Sequence, residues 1–177
     1  MNTPPDKPLT DGVVTVRMRH DADLPFIAAG RENPEAARWL DSAPSGRTPP
    51  TTPEAIIELW RGGEVGPLMI ADAATDEAAG LINLQFRAPG DTSIAYHVFP
   101  AWRGHGFAAR ALDLVAEWAF SHLGLHQLVL EIDEGNVASI RVAERAGFVR
   151  SVATTDGEPP KAVFVRESPG WSGRLTR

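Results

Sequence analysis

The chain has 177 residues, 43% of them apolar, a net charge of −6 and no cysteine. That length predicts one domain with a real hydrophobic core. The missing cysteine excludes disulfides, thiolate metal sites and a cysteine nucleophile, and fits a reducing cytoplasm. The acidic balance speaks against nucleic acid as a partner, and no apolar run reaches the roughly 18 residues that would span a membrane.

Residues 1–11 read as a disordered lead-in. "GVVTVRMR" (12–19) alternates and is rich in valine, which predicts a strand. "DADLPFIAAG" predicts a helix capped by Asp21 or Asp23 and ending near Gly30. "NPEAARWL" (33–40) predicts a further helical piece with Asn33 as cap, and "DSAPSGRTPP" (41–50) predicts a mobile loop. "TTPEAIIELWRGG" (51–63) predicts a short helix with Thr52 as cap, Pro53 first and Gly62 last.

Three strands follow, 66–73, 78–87 and 91–99, with turn signals at Thr75-Asp76 and Pro89-Gly90, and they read as an antiparallel meander. From Gly106 to Leu123 the period changes. Ala108, Ala111, Leu112, Val115, Ala119 and Leu123 recur at three and four, giving one helical face that Gly124 stops. A strand at 126–133, a second amphipathic helix at 136–147 and two strands around "DGEPP" complete the pattern. The alternation from 91 to 155 predicts that part of the sheet is parallel. Of the five histidines, none has the spacing of a helical zinc site; Gly124 separates His122 from His126 where the helix should end. No metal is expected.

The stretch "HVFPAWRGHGFAARAL" (97–112) carries the chemistry. An ordinary loop is one reading of its glycines. A dinucleotide fingerprint is another, since "GHGFAA" satisfies G-x-G-x-x-A and Glu131 and Asp133 lie roughly where the fingerprint's ribose-binding acid falls. Against it, "PAWR" separates the strand from the glycines, and too little chain remains for a nucleotide-binding sheet. A third reading is a phosphate cradle. Free amides at a helix N-terminus bind phosphate, Arg103 adds charge, and the strand end can pair with an extended arm that contains amides. Coenzyme A has that shape.

Two blocks then carry a resemblance. Arg103, Gly106 and Ala108 meet the pattern Arg/Gln-x-x-Gly-x-Gly/Ala after "VFPAW". "NVASIRVAERAGF" (136–148) is similar to N-x-x-S-x-x-V-x-E-K-x-G-F, with Arg145 in the lysine slot. The chain resembles the GCN5-related N-acetyltransferase (GNAT) superfamily, in its RimJ/RimL-like branch.

The resemblance implies a mixed α/β fold: a single, mostly antiparallel sheet, splayed between the fourth and fifth strands and flanked by helices. The domain is expected to span residues 12–170, with a tail at 171–177. It implies acetyl-coenzyme A as acyl donor and an amine acceptor, either a protein N-terminus or a small molecule, attacking directly in a ternary complex. Homodimerisation is common in the branch.

The pyrophosphate is expected on the amides of Arg103, Gly104, His105, Gly106, Phe107 and Ala108. The pantetheine arm is expected along Val98 and Phe99, with an amide there polarising the carbonyl. The tyrosine that many relatives carry in the last helix falls at Ala143, a departure. In this branch the resemblance makes Ser139 the hydrogen-bond donor to the leaving thiolate, although Asn136 and Ser139 also read as an ordinary helix start. Tyr96, the chain's one tyrosine, is a further candidate on the cofactor strand. For the base, Glu131, Asp133, His97, Glu158 and a water relay stay open. Trp39 and the 41–50 loop are candidates for the acceptor wall. A module that senses coenzyme A with little catalysis is the alternative that Ala143 keeps open.

Overall fold

Valine alternation, proline starts and glycine stops translate into elements along the chain. The computed structural model describes residues 2–32, 52–88, 91–154 and 160–171. Its strands are β1 (Leu9–Thr10), β2 (Val14–Arg17), β3 (Val65–Asp72), β4 (Ala78–Ala88), β5 (Asp91–Val98), β6 (Gln127–Asp133), β7 (Val149–Thr154) and β8 (Lys161–Glu167). The helices among the described residues are α1 (Leu24–Glu32), α2 (Pro53–Gly62), α3 (Phe107–His122) and α4 (Val137–Arg145), with 3-10 turns at Asp21–Asp23 and Pro100–Trp102.

The strands form one sheet in the order β1-β2-β3-β4-β5-β6-β8-β7. Every neighbouring pair is antiparallel except β5 and β6. β4 and β5 stay in register from Gly80–Val98 to Phe86–Thr92, and the register shifts before Ala88–Asp91. By contrast, β5 meets β6 only where Ser93 faces Val129. Beyond that point the two strands diverge, which is the splay expected between the fourth and fifth predicted strands.

The core lies on the face covered by α2, α3 and α4. Leu68, Ile70, Ile82, Leu84, Leu128, Leu130 and Phe164 from the sheet meet Ile56 and Trp60 of α2 and Ala111, Leu112, Val115 and Ala119 of α3. The alanines on α3 let the helix approach the strands closely. The opposite face holds a smaller cluster, in which Ile27 of α1 packs with Met69, Ala78 and Phe99.

α2 follows its sequence signals. Thr52 Oγ1 accepts the Ala55 N–H, Pro53 opens the helix and Gly63 closes it at φ 72°. The start of α1 is tied down by charge. Arg17 donates from both terminal nitrogens to Asp23, at 2.9 and 3.1 Å, and from Nε to Asp76 at 2.7 Å. Asp23 also accepts the His20 N–H at 2.7 Å.

Several expectations need correction. The lead-in is not disordered through residue 11: Leu9–Thr10 add an edge strand to β2. The strand expected at 12–19 pairs only over Val14–Arg17. α1 runs past Gly30 to Glu32, because one glycine costs a helix only about 1 kcal/mol. The 3-10 turn that leads into it opens at His20 rather than at a capping aspartate, and Asp23 closes that turn from within by accepting the His20 N–H. Trp171, assigned to the tail, stacks on His126 with ring centroids 5.4 Å apart. The helix expected at 33–40, Trp39, the 41–50 loop and Glu158 lie outside the described residues. No helix among those described is long and apolar enough to cross a membrane.

Candidate active site

The site begins with the direction of backbone groups on β5. The Phe99 N–H donates to Ala79 O, toward β4. Backbone groups alternate along a strand, so those of Tyr96 and Val98 point the other way, into the splay beside β6. They form an open edge inside the sheet. Arg103 folds back onto it, its Nε donating to Val98 O at 3.1 Å.

After β5 the chain turns through Pro100–Trp102 and enters α3 by way of two glycines in the left-handed region, Gly104 at φ 80° and Gly106 at φ 81°. Side chains other than glycine are strained there. A Cβ at either position would meet no protein atom within 4 Å, so the backbone conformation requires glycine and the space above it is open. α3 also lacks a side-chain cap and has no acid in its first turn, whereas α2 and α4 are capped by Thr52 and Asn136. Its first N–H groups have no partner within the helix, and the dipole makes that end positive. Phe107, at 5% exposure, packs on Trp102 with centroids 4.9 Å apart and anchors the turn.

A groove of about 730 Å³ opens over this helix end. Gly104, His105 and Gly106 line one side; Arg110, Arg145 and Arg166 bring positive charge. α4 ends there in a Schellman turn, with Phe148 N–H donating to Ala143 O and Gly147 N–H to Glu144 O. Arg166 Nη1 donates to Ala146 O at 3.0 Å, and its ends also reach Asp113 and Glu117 at 2.7 and 2.5 Å. Arg110 is bound by Asp11 at 2.6 Å. Burial by itself would raise the Asp11 carboxyl, but the Val14 and Val13 N–H groups and the Arg110 guanidinium hold it below its ordinary value.

The sequence reading placed the charge on Arg103; in the structure Arg103 stands at the strand edge, and the arginines lining the groove are three others. They come from α3, α4 and β8, so sequence distance hid them. Their one sequence signal is Arg145 in the lysine slot. Ala108 is half-buried beside Ala109, which lines the groove.

The candidate catalytic residues divide between the two faces of the sheet. Tyr96 and Ser139 come together on the helix-covered face, where the phenol donates to Ser139 O at 3.4 Å, a long bond. Burial pushes the phenol up to about 12. Asn136 Oδ1 accepts the Ser139 N–H at 3.1 Å, so Asn136 caps α4. Ala143, in the tyrosine slot, is fully buried in the core. Glu131 lies on the other face of β6, away from Leu128, Leu130 and Ile132, and forms an ion pair with Arg87 of β4. Asp133 Oδ1 accepts the Gly135 N–H and so shapes the turn into α4. His97 lies on the face opposite Tyr96, near Phe99, with ring centroids 6.0 Å apart.

Comparison with known proteins bears on the fold and the family. A family model described as "Acetyltransferase (GNAT) domain" matches residues 14–149. A probable N-acetyltransferase, YjcK of Bacillus subtilis, is 38% identical over 55 residues. That match spans 31% of this chain and 30% of the relative, so the chain covers under a third of the relative's length. The solved ribosomal-protein-S5-alanine acetyltransferase from Vibrio fischeri superposes with a TM-score of 0.70 at 19% identity, over 95% of this chain and 100% of that one. The spermidine N-acetyltransferase from Vibrio cholerae, solved with CoA and spermine, gives 0.67 at 19% identity, over 89% and 96%. The mixed sheet, the splay, the uncapped helix below it and a family match over most of the chain lead to one assignment: the chain belongs to the GNAT acetyltransferases, of the RimJ/RimL type.

Proposed function

We propose that this chain transfers an acetyl group from acetyl-coenzyme A to a primary amine, a protein N-terminus or a small molecule, by direct attack in a ternary complex. The observation that carries this reading is the passage of the chain from the open backbone edge at Tyr96 and Val98, through the turn at Pro100–Trp102 and two left-handed glycines, to the uncapped end of α3. One part suits an arm bearing amides, and the other suits a pyrophosphate. Arg145 and Arg110 then face the remaining phosphate charge.

In this reading the amine nitrogen attacks the thioester carbonyl, and the Val98 N–H stabilises the charge that develops on oxygen. The C–S bond breaks, and the thiolate accepts a hydrogen bond from the Ser139 hydroxyl and gains its proton from solvent by that route. Tyr96 stays protonated at any working pH and steadies the Ser139 peptide. The acceptor enters from the opposite face, where the Arg87–Glu131 pair stands. Glu131 or water takes the proton that the amine loses.

The test is release of coenzyme A thiol with a panel of amines. Ser139→Ala should lower kcat about tenfold to a hundredfold with little change in KM for acetyl-coenzyme A, because the hydroxyl acts on the leaving group. An equal kcat in the variant would remove Ser139 from the mechanism. Binding of acetyl-coenzyme A without turnover on any amine would favour the sensing module, the alternative that Ala143 supports.

A further inference from the structure

We propose that Asp11 is an internal competitor for the anionic end of the cofactor, occupying Arg110 and holding the groove's affinity for coenzyme A below what its three arginines would otherwise give. The inference rests on the reading that the groove receives coenzyme A.

Asp11 sits in the turn between β1 and β2, far from α3 in sequence, yet it lines the same groove as Gly104, Gly106 and Arg110. Its two oxygens have separate tasks. Oδ1 accepts the N–H groups of Val13 and Val14, both at 2.9 Å, and holds the turn. Oδ2 binds Arg110 Nη1 at 2.6 Å. The turn therefore does not depend on the arginine, and the arginine can be given up without losing the turn.

The other charges around Arg110 make Asp11 the informative one. Arg166 is shared by Asp113 and Glu117 and also holds Ala146 O, so it is committed to the end of α4. Arg145 forms no ion pair among the described residues. His105 lies on the groove wall. The Arg110 and Asp11 side chains are 46% and 27% exposed, so an incoming phosphate can reach the pair directly. A polyanion entering here must either displace the Asp11 carboxylate from Arg110 or bind beside it, and both weaken its hold. An uncharged side chain at position 11 that still accepts the turn's N–H bonds removes this competition.

The experiment is calorimetric titration with coenzyme A, which involves no turnover. It compares the wild type with Asp11→Asn and Asp11→Ser, both of which keep a turn-forming acceptor. Glu58→Gln, on an exposed part of α2, makes the same change in net charge away from the groove. At low salt the Asp11 variants should bind coenzyme A about fivefold more tightly than wild type. The gain should shrink to less than about twofold near 0.5 M salt. It should vanish in an Arg110→Gln background, because the two residues act as a pair. Unchanged or weaker binding in both Asp11 variants would overturn the proposal. So would an equal gain in Glu58→Gln, or a gain that survives without Arg110. Wild-type protein that fails to bind coenzyme A would overturn the cofactor reading itself, and this proposal with it.

Discussion

A Gly106→Val protein is expected to lose acetyl transfer, read as kcat/KM, by about a hundredfold or more, the scale of losing one or two hydrogen bonds to a charged phosphate. Two effects combine. Valine at φ 81° is strained by about 1–3 kcal/mol, so the turn into α3 either distorts or holds at a cost in stability. The side chain also enters the open space above the helix end, where no protein atom lies within 4 Å of a Cβ. Phosphate is then kept away from the amides. The loss should appear chiefly as a rise in KM for acetyl-coenzyme A, while the far-UV spectrum stays that of a folded protein. A variant whose KM stays within twofold of wild type would show that the phosphates do not sit over Gly106.

The largest loss of stability is expected from Asp23→Ala. Asp23 is 2% exposed and answers two N–H donors of Arg17 and the backbone of His20. Removing it leaves a buried guanidinium with Asp76 as its remaining carboxylate, and breaking a buried pair costs about 3 kcal/mol or more. For a domain of this size that corresponds to a fall of roughly 6–12 °C in Tm. Asp76→Ala should cost less, about 1–2 kcal/mol, because Asp76 is 60% exposed and Asp23 still holds the guanidinium, although Arg17 Nε loses its acceptor and alanine is less favoured than aspartate at φ 59°. Scanning calorimetry on the two variants checks the order. Equal losses would mean that the network stabilises through Asp76 and the β3–β4 turn rather than through the start of α1.

The elements legible in the sequence were those with local causes. Thr52, Pro53 and Gly62 bound α2, and Gly124 and Gly147 follow the ends of α3 and α4 with positive φ. The glycine turn into α3 was legible for the same reason, since Gly104 and Gly106 take up positive φ. What depended on distant pairing was not. β1 is two residues long and exists only because β2 offers it an edge. β8 inserts between β6 and β7, and no local pattern dictates that order. The groove's arginines converge from three separate segments, and the Arg87–Glu131 pair spans β5. Charged residues on strands look alike in sequence until the register brings them together. Tyr96 and Ser139 were each singled out, but their contact depends on the crossing of β5 and α4, which sequence does not encode locally.

The central claim is that the path from the open edge of β5 to the end of α3 binds acetyl-coenzyme A. Thermal unfolding with acetyl-coenzyme A, coenzyme A and NADH, each in large excess, tests it most directly. A ligand at about a hundred times its Kd stabilises the native state by about 2.7 kcal/mol, which raises Tm by roughly 5–11 °C for a chain of this length. The account predicts that rise with both coenzyme A ligands and none with NADH. No rise with acetyl-coenzyme A, or a rise with NADH alone, would contradict it.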